Sequence, residues 1–216
     1  MITTGKIIHY DNNQILIAPD EKIGREILKK NIENIEIRLN DGRTISSDQR
    51  KKIFALIRDI AIWSGHEPEY LRQLLTWDFV CKKDIEWFSL SDVDMTTAKE
   101  YITYLIEFCF YFGIPTKDTM LNYTDDIGKY LYLCLEYKRC AICNSHGEVH
   151  HVDRVGMGFD REKIVHKGLK AMCLCRKHHV KAHEDEKTLF KENHIYGIKL
   201  DDYLCSILRL NTKVRR

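Results

Sequence analysis

Two pairs of metal-binding residue types at one spacing constrain this chain more than any other feature. Cys140 and Cys143 stand three apart in "CAIC", and Cys175 and His178 stand three apart in "CRKH", 32 residues further on. Together they supply four soft or borderline donors, the number that a closed tetrahedral zinc site takes. A lone CxxC would also suit a thioredoxin-like redox pair, but that reading wants a strand before it and a helix opening at the first cysteine. Here a helical pattern, "DDIGKYLYLCLEYKR", runs straight into Cys140. Cys173 is the alternative donor to one of the four; only the Cys175/His178 spacing repeats that of Cys140/Cys143, which favours Cys173 as a packing residue.

Of the histidines these ligands leave over, four stand in patterns of their own. His179 and His183 are four apart, so on a helix they stand one above the other and can chelate one cation. His150 and His151 lie in "GEVHHVDRV", a strand-like run in which adjacent side chains point to opposite faces. One of them can complete a metal site while its neighbour points toward a substrate.

Charge separates this region from the rest. Residues 137–216 hold 17 Lys/Arg against 10 Asp/Glu, a net of +7, while the whole chain carries +2, leaving −5 for residues 1–136. Eight of the ten histidines also fall after Lys138. A basic, Cys/His-rich segment on a mildly acidic body suggests a metal module facing a polyanion. The 216 residues, 44% of them hydrophobic, suffice to bury a core. "MITTGKIIHYDNNQ" lacks a secretory pattern and "YITYLIEFCFYFGI" is too short to span a bilayer, so a cytoplasmic protein without a membrane partner is expected. In that compartment eight cysteines favour metal ligands or buried thiols over a disulfide framework.

The expected fold class is α+β, with a boundary near residue 137 set by charge and residue type. "GKIIHY" and "QILIAP", separated by "DNN", suggest a hairpin, and "DEKIGREILKKNIEN" a capped helix with Ile23, Ile27 and Leu28 on one face. "IEIRLNDGRTIS" turns at Asp41-Gly42, a second hairpin candidate. From Ser47 the pattern becomes helical. "SSDQRKKIFALIRDIAIWSG" places Ile53, Leu56, Ile57, Ile60 and Trp63 on a core-facing stripe, and "EPEYLRQLLTWDFVCKK" places Leu71, Leu74, Leu75 and Phe79 inward. "TTAKEYITYLIEFCFYFGIP" is the most apolar helix and stops at Gly113 and Pro115.

The combination "CAIC…EVHHVD…LCRKHHVKAH" resembles the HNH endonucleases of the ββα-metal fold, especially phage-type members in which a zinc knuckle braces the catalytic hairpin and helix. The resemblance covers about residues 138–196. It implies a nuclease domain over 137–216 in which His151 is the general base that activates water, and His150, His179 and His183 hold one catalytic divalent ion: Mg²⁺, Mn²⁺ or another transition metal. Cys140, Cys143, Cys175 and His178 match the structural zinc set. One position departs from the pattern: nine residues before His179, where the family commonly has asparagine, stands Lys170. That asparagine braces the loop carrying the base, and His166 or a backbone contact is the expected substitute. Arg154, Arg161, Lys163, Lys167, Lys170, Arg176, Lys177 and Lys181 are the cations expected to hold a DNA backbone without reading bases.

The preceding helical region, with "SSDQRKKIFALIRDIAIWSG" and the tryptophan-bearing helix after it, weakly resembles the NinB/Orf type of phage recombination mediator. That likeness implies that residues 1–136 form a homodimeric scaffold for single-stranded or branched DNA. Its partners would be recombination and single-strand-binding proteins, and Arg50, Lys51, Lys52, Lys82 and Lys83 its local contacts. The expected function is metal-dependent DNA cleavage in phage recombination or DNA processing. The competing expectation is a zinc-stabilised DNA-binding mediator that cuts little or not at all.

Overall fold

Apolar residues recurring at helical spacing, each run opened by a capping side chain and closed by a residue in the left-handed conformation, build the largest layer of the molecule. A computed structural model describes residues 5–33, 35, 37, 42–153 and 165–212. Helix α2 (Ser47–Ser64) opens on a capping box in which Ser46 and Gln49 exchange side-chain and backbone hydrogen bonds, and it ends on Gly65 in the left-handed conformation. Helix α3 (Pro68–Lys83) starts with proline in its first turn, and α4 (Met95–Phe112) is capped by Asp94 and stopped by Gly113.

These helices pack around one apolar centre. Thr44 bridges Asp94, and Ile45 N–H donates to Val93 O at 2.7 Å, so α2 and α4 begin side by side. Trp63 meets Phe112 at their far ends, which makes the two helices parallel. Helix α3 returns between them in direction, with Thr76 against Tyr101 and Lys83 paired to Glu100. Ile53, Leu56, Ile57, Ile60, Leu71, Leu75 and Phe79 are buried as their spacing predicts. Trp63 and Leu74 are not: they are 48% and 44% exposed. Both sit at the margin of an apolar stripe, where one helix position of about 100° separates core from solvent.

The N-terminal segment forms the expected hairpin, β1 (Gly5–Tyr10) paired antiparallel with β2 (Ile15–Pro19), followed by α1 (Gly24–Lys30). Helix α1 begins after Ile23 without a side-chain cap and buries none of its residues, and Leu28 is 84% exposed. The stripe of Ile23, Ile27 and Leu28 therefore does not form a core here. The second hairpin expected around Asp41-Gly42 lies largely outside the described residues.

Short α5 (Met120–Tyr123) leads to α6 (Ile127–Glu136), which carries the core from the helical layer to the C-terminal sheet. That sheet has the order β3 (Glu148–His151), β4 (Lys170–Leu174), β5 (Ile198–Lys199), all antiparallel. Helix α7 (Arg176–Asn193) packs on β3 and β4, and α8 (Asp202–Ile207) packs on α6. Tyr130, Leu131, Leu133, Cys134 and Leu135 of α6 are buried together with Ala171, Met172, Cys173 and Leu174 of β4. One buried core thus crosses residue 137. The architecture is mixed α and β, with small sheets at two places and helices between. Among the described residues no helix is long and apolar enough to cross a membrane.

Candidate metal centres and active site

The turn after α6 is a tight loop that places two thiols side by side. Lys138 and Asn144 adopt the left-handed conformation, Cys140 N–H donates to Ser145 O at 2.7 Å, and Asn144 N–H donates to Cys140 O at 2.9 Å. A buried polar network anchors the loop. Tyr130 O–H donates to Ala141 O at 2.9 Å, Asn144 Nδ2 donates to Tyr130 Oη at 2.8 Å, and Asn144 Oδ1 accepts from Met120 N–H at 2.6 Å. Neither Tyr130 nor Asn144 stood out in the sequence, since an aromatic on a helix and an asparagine in a turn are ordinary occupants of such places.

Opposite this loop, Cys175 directly precedes α7 and His178 stands on its first turn. His178 Nδ1 lies 3.3 Å from both Cys140 Sγ and Cys175 Sγ, and Cys143 Sγ lies 3.7 Å from Cys175 Sγ. All four donor atoms fall within 4.8 Å of one another. A tetrahedral zinc with bonds of about 2.3 Å to sulfur and 2.0–2.1 Å to nitrogen sets its ligands roughly 3.5–3.8 Å apart, so the donor set fits that ion. Burial pushes the Cys140 thiol up to about 12, so its thiolate needs a cation beside it. Burial, helped by Lys181 and Lys177, holds His178 below the ordinary histidine range, leaving a neutral ring with a lone pair to give.

Cys173 stands apart from this cluster. It is buried in β4, its sulfur seated over Gly147, where a Cβ would come within 2.7 Å of it. Burial also pushes this thiol up to about 12.

A second donor cluster forms where β3 faces α7. His150 is buried, and the rings of His150, His179 and His183 gather with centroids 4.8–5.3 Å apart, their donor nitrogens within 4.8 Å of one another. The Nδ1 atoms of His150 and His179 are buried without a hydrogen-bond partner. Two buried imidazole nitrogens without a hydrogen-bond partner, in rings packed together, suit a divalent cation, because each would otherwise forfeit its hydrogen bond to water. Burial, reinforced by His150 and His183, keeps His179 below the ordinary histidine range and so neutral.

His151 points the other way, as strand alternation requires. Its Nε2 lies 2.9 Å from Nδ1 of His166, a residue only 8% exposed. Lys170 has an exposed side chain and a backbone that closes the loop: its N–H donates to Asp153 Oδ2 at 2.7 Å and its carbonyl accepts from Val152 N–H at 2.9 Å.

Two carboxylates join the histidines without having been singled out in the sequence. Glu186 Oε2 lies 2.8 Å from His150 Nε2, and Glu148 Oε2 lies 3.7 Å from His179 Nδ1. Glu186 stands three residues after His183 but beyond a break in α7 at Asp185, so helical spacing in "HVKAHEDE" did not point to it.

Of the candidate DNA contacts, Lys170, Arg176, Lys177 and Lys181 are exposed, while Lys167 is paired with Asp202 at 2.6 Å. Arg154, Arg161 and Lys163 lie outside the described residues. In the helical layer Lys52 is tied to Asp125 and Asp48, Lys82 to Asp78 and Lys83 to Glu100, and Arg50 donates to Ser91 O. Lys51 is exposed on α2.

No curated protein and no solved structure matches the chain. A family model described as "Putative HNHc nuclease" matches residues 19–211, taking in the helical layer and both donor clusters. The chain therefore belongs to this family of HNH nucleases.

Proposed function

We propose that this protein is a metal-dependent DNA endonuclease that hydrolyses phosphodiester bonds at the cluster of His150, His151, His179 and His183. The observation that carries the reading is the pair of orphaned buried nitrogens, His150 Nδ1 and His179 Nδ1, one residue from a histidine that faces the opposite side of the strand. His150, His179 and His183 hold the divalent cation, Mg²⁺, Mn²⁺ or a later transition metal, the last being favoured by an all-imidazole donor set. Such an ion, when bound, stabilises the negative charge that develops on the phosphate and its leaving oxygen.

The protein's own groups do the rest. His151 takes the proton from water as the water oxygen bonds to phosphorus and the bond from phosphorus to the leaving sugar oxygen breaks. A general base so placed contributes roughly 10²–10⁴-fold. His166 holds the His151 ring through the 2.9 Å contact at Nε2. With Asp153 and the Lys170 backbone it serves in place of the asparagine that commonly braces this loop. Cys140, Cys143, Cys175 and His178 hold a structural zinc that fixes the start of α7 against the loop after α6. Lys170, Arg176, Lys177 and Lys181 contact DNA phosphates.

The test is cleavage of linear, single-stranded and branched DNA with Mg²⁺ or Mn²⁺, comparing wild type with His151→Ala while zinc is assayed in both. Cleavage lost in the variant at unchanged zinc content supports the reading. Equal cleavage by the two proteins contradicts it. Tight DNA binding with no cleavage by either protein under any ion supports the mediator reading instead.

A further inference from the structure

The geometry points to Glu186 as a positioning residue that sets the tautomer of His150 and thereby the affinity of the three-histidine site for its cation. This rests on the cation-binding reading of His150, His179 and His183. An ionised carboxylate can only accept hydrogen bonds. Glu186 Oε2 at 2.8 Å therefore requires the His150 proton to be on Nε2, and Nδ1, the nitrogen with no partner, is left with a lone pair to give, on a ring packed against those of His179 and His183. Without the carboxylate nothing on this contact would favour that tautomer, and part of the population would carry its proton on Nδ1, where it blocks a ligand position.

The backbone is arranged to deliver this contact. Helix α7 is interrupted at Asp185, whose backbone is extended (φ −151°, ψ 85°), and Asp185 Oδ1 accepts from Thr188 N–H at 3.1 Å. Asp185 thus acts as an internal N-cap, ending the segment that carries His179 and His183 and starting a new one. Glu186 is the first residue after the break, and its side chain reaches across to β3. Glu186 touches neither His179 nor His183 through a hydrogen bond or ion pair among the described contacts, so its role is exerted through His150. Partners that orient a metal-binding histidine typically change metal affinity 10–100-fold when removed.

The test uses full-length, zinc-replete protein titrated with Ni²⁺ by calorimetry, together with long-range ¹H–¹⁵N spectra of the His150 ring recorded without Ni²⁺ at a pH above the imidazole range. In wild type the proton of His150 is expected on Nε2. Glu186→Ala is expected to weaken Ni²⁺ binding by roughly 10–100-fold and to move proton population to Nδ1. Glu186→Gln, whose amide oxygen still accepts, is expected to restore both readouts, which a loss of packing alone would not explain. A Glu186→Ala protein with wild-type Ni²⁺ affinity and an unchanged tautomer overturns the inference. His183→Ala separates this from the underlying reading: if it binds Ni²⁺ as wild type does, the three-histidine site itself is wrong and the inference falls with it. If His183→Ala loses Ni²⁺ while Glu186→Ala keeps it, only the role of Glu186 is wrong.

Discussion

His150 and His151, consecutive on β3, serve opposite sides of one strand: His150 is buried against His179 and His183, and His151 meets His166 across a 2.9 Å contact. Two adjacent residues of one type thereby enter two different environments, one suited to holding a cation and the other to handling a proton.

Removing a donor from the Cys/His cluster is expected to be felt as folding energy as well as lost metal. Cys140→Ser or His178→Ala should lower bound zinc below one equivalent and depress Tm, because an ion held by these four donors would tie the loop after α6 to the start of α7. Cys173→Ala should keep its zinc and cost about 1 kcal/mol, a packing loss alone. Metal analysis beside thermal melts distinguishes the two outcomes.

Gly147 is the point where this loop presses on the sheet. A Cβ there would lie 2.7 Å from Cys173 Sγ and 3.0 Å from the Leu174 backbone. Gly147→Ala is expected to destabilise the protein by about 1–3 kcal/mol, read as a shift of the denaturation midpoint. Adding Cys173→Ala should recover only part of the loss, since the contact with the Leu174 backbone remains.

Asn144 links three parts of the structure through Met120 N–H and Tyr130 Oη. Asn144→Ala leaves a backbone donor and a buried hydroxyl each short of a partner and places alanine at φ 57°. The expected cost is about 1–3 kcal/mol, measured by urea denaturation of the zinc-loaded protein.

The helical layer was legible because local signals agreed: a serine cap before α2, glycines at 65 and 113, and apolar residues at one period between them. The donor clusters were legible because a repeated three-residue spacing and an i, i+4 histidine pair are local patterns that survive folding. What escaped depends on tertiary placement. The exposure of Trp63 and Leu74 is decided by how far neighbouring helices cover a stripe. The engagement of Lys52, Lys82 and Lys83 by carboxylates removes cations that composition alone leaves available. Glu186 reaches His150 only because the helix breaks at Asp185, and nothing in the run "HEDEKT" announces a break there.

Lys170 and Lys199 stand directly opposite each other on β4 and β5, both exposed. Like charges so placed repel across a sheet, and a DNA phosphate would relieve that repulsion. Lys170→Ala and Lys199→Ala are each expected to reduce the salt dependence of DNA binding by about one phosphate contact, a slope change of roughly 0.9. Lys52→Ala, a cation already held by Asp48 and Asp125, should leave the slope unchanged. Binding isotherms between low and physiological salt read the difference.

The central claim is that His151 is the base and its neighbours hold the ion. The most direct test is single-turnover cleavage of branched DNA in Mn²⁺ by wild type, His151→Ala and His150→Ala, with cation binding measured on the same preparations. The account predicts that His151→Ala loses about 10²–10⁴-fold in rate while binding Mn²⁺ as wild type does, and that His150→Ala loses both. Wild-type cleavage by His151→Ala, or loss of Mn²⁺ from that variant alone, would contradict the division of labour between the two histidines.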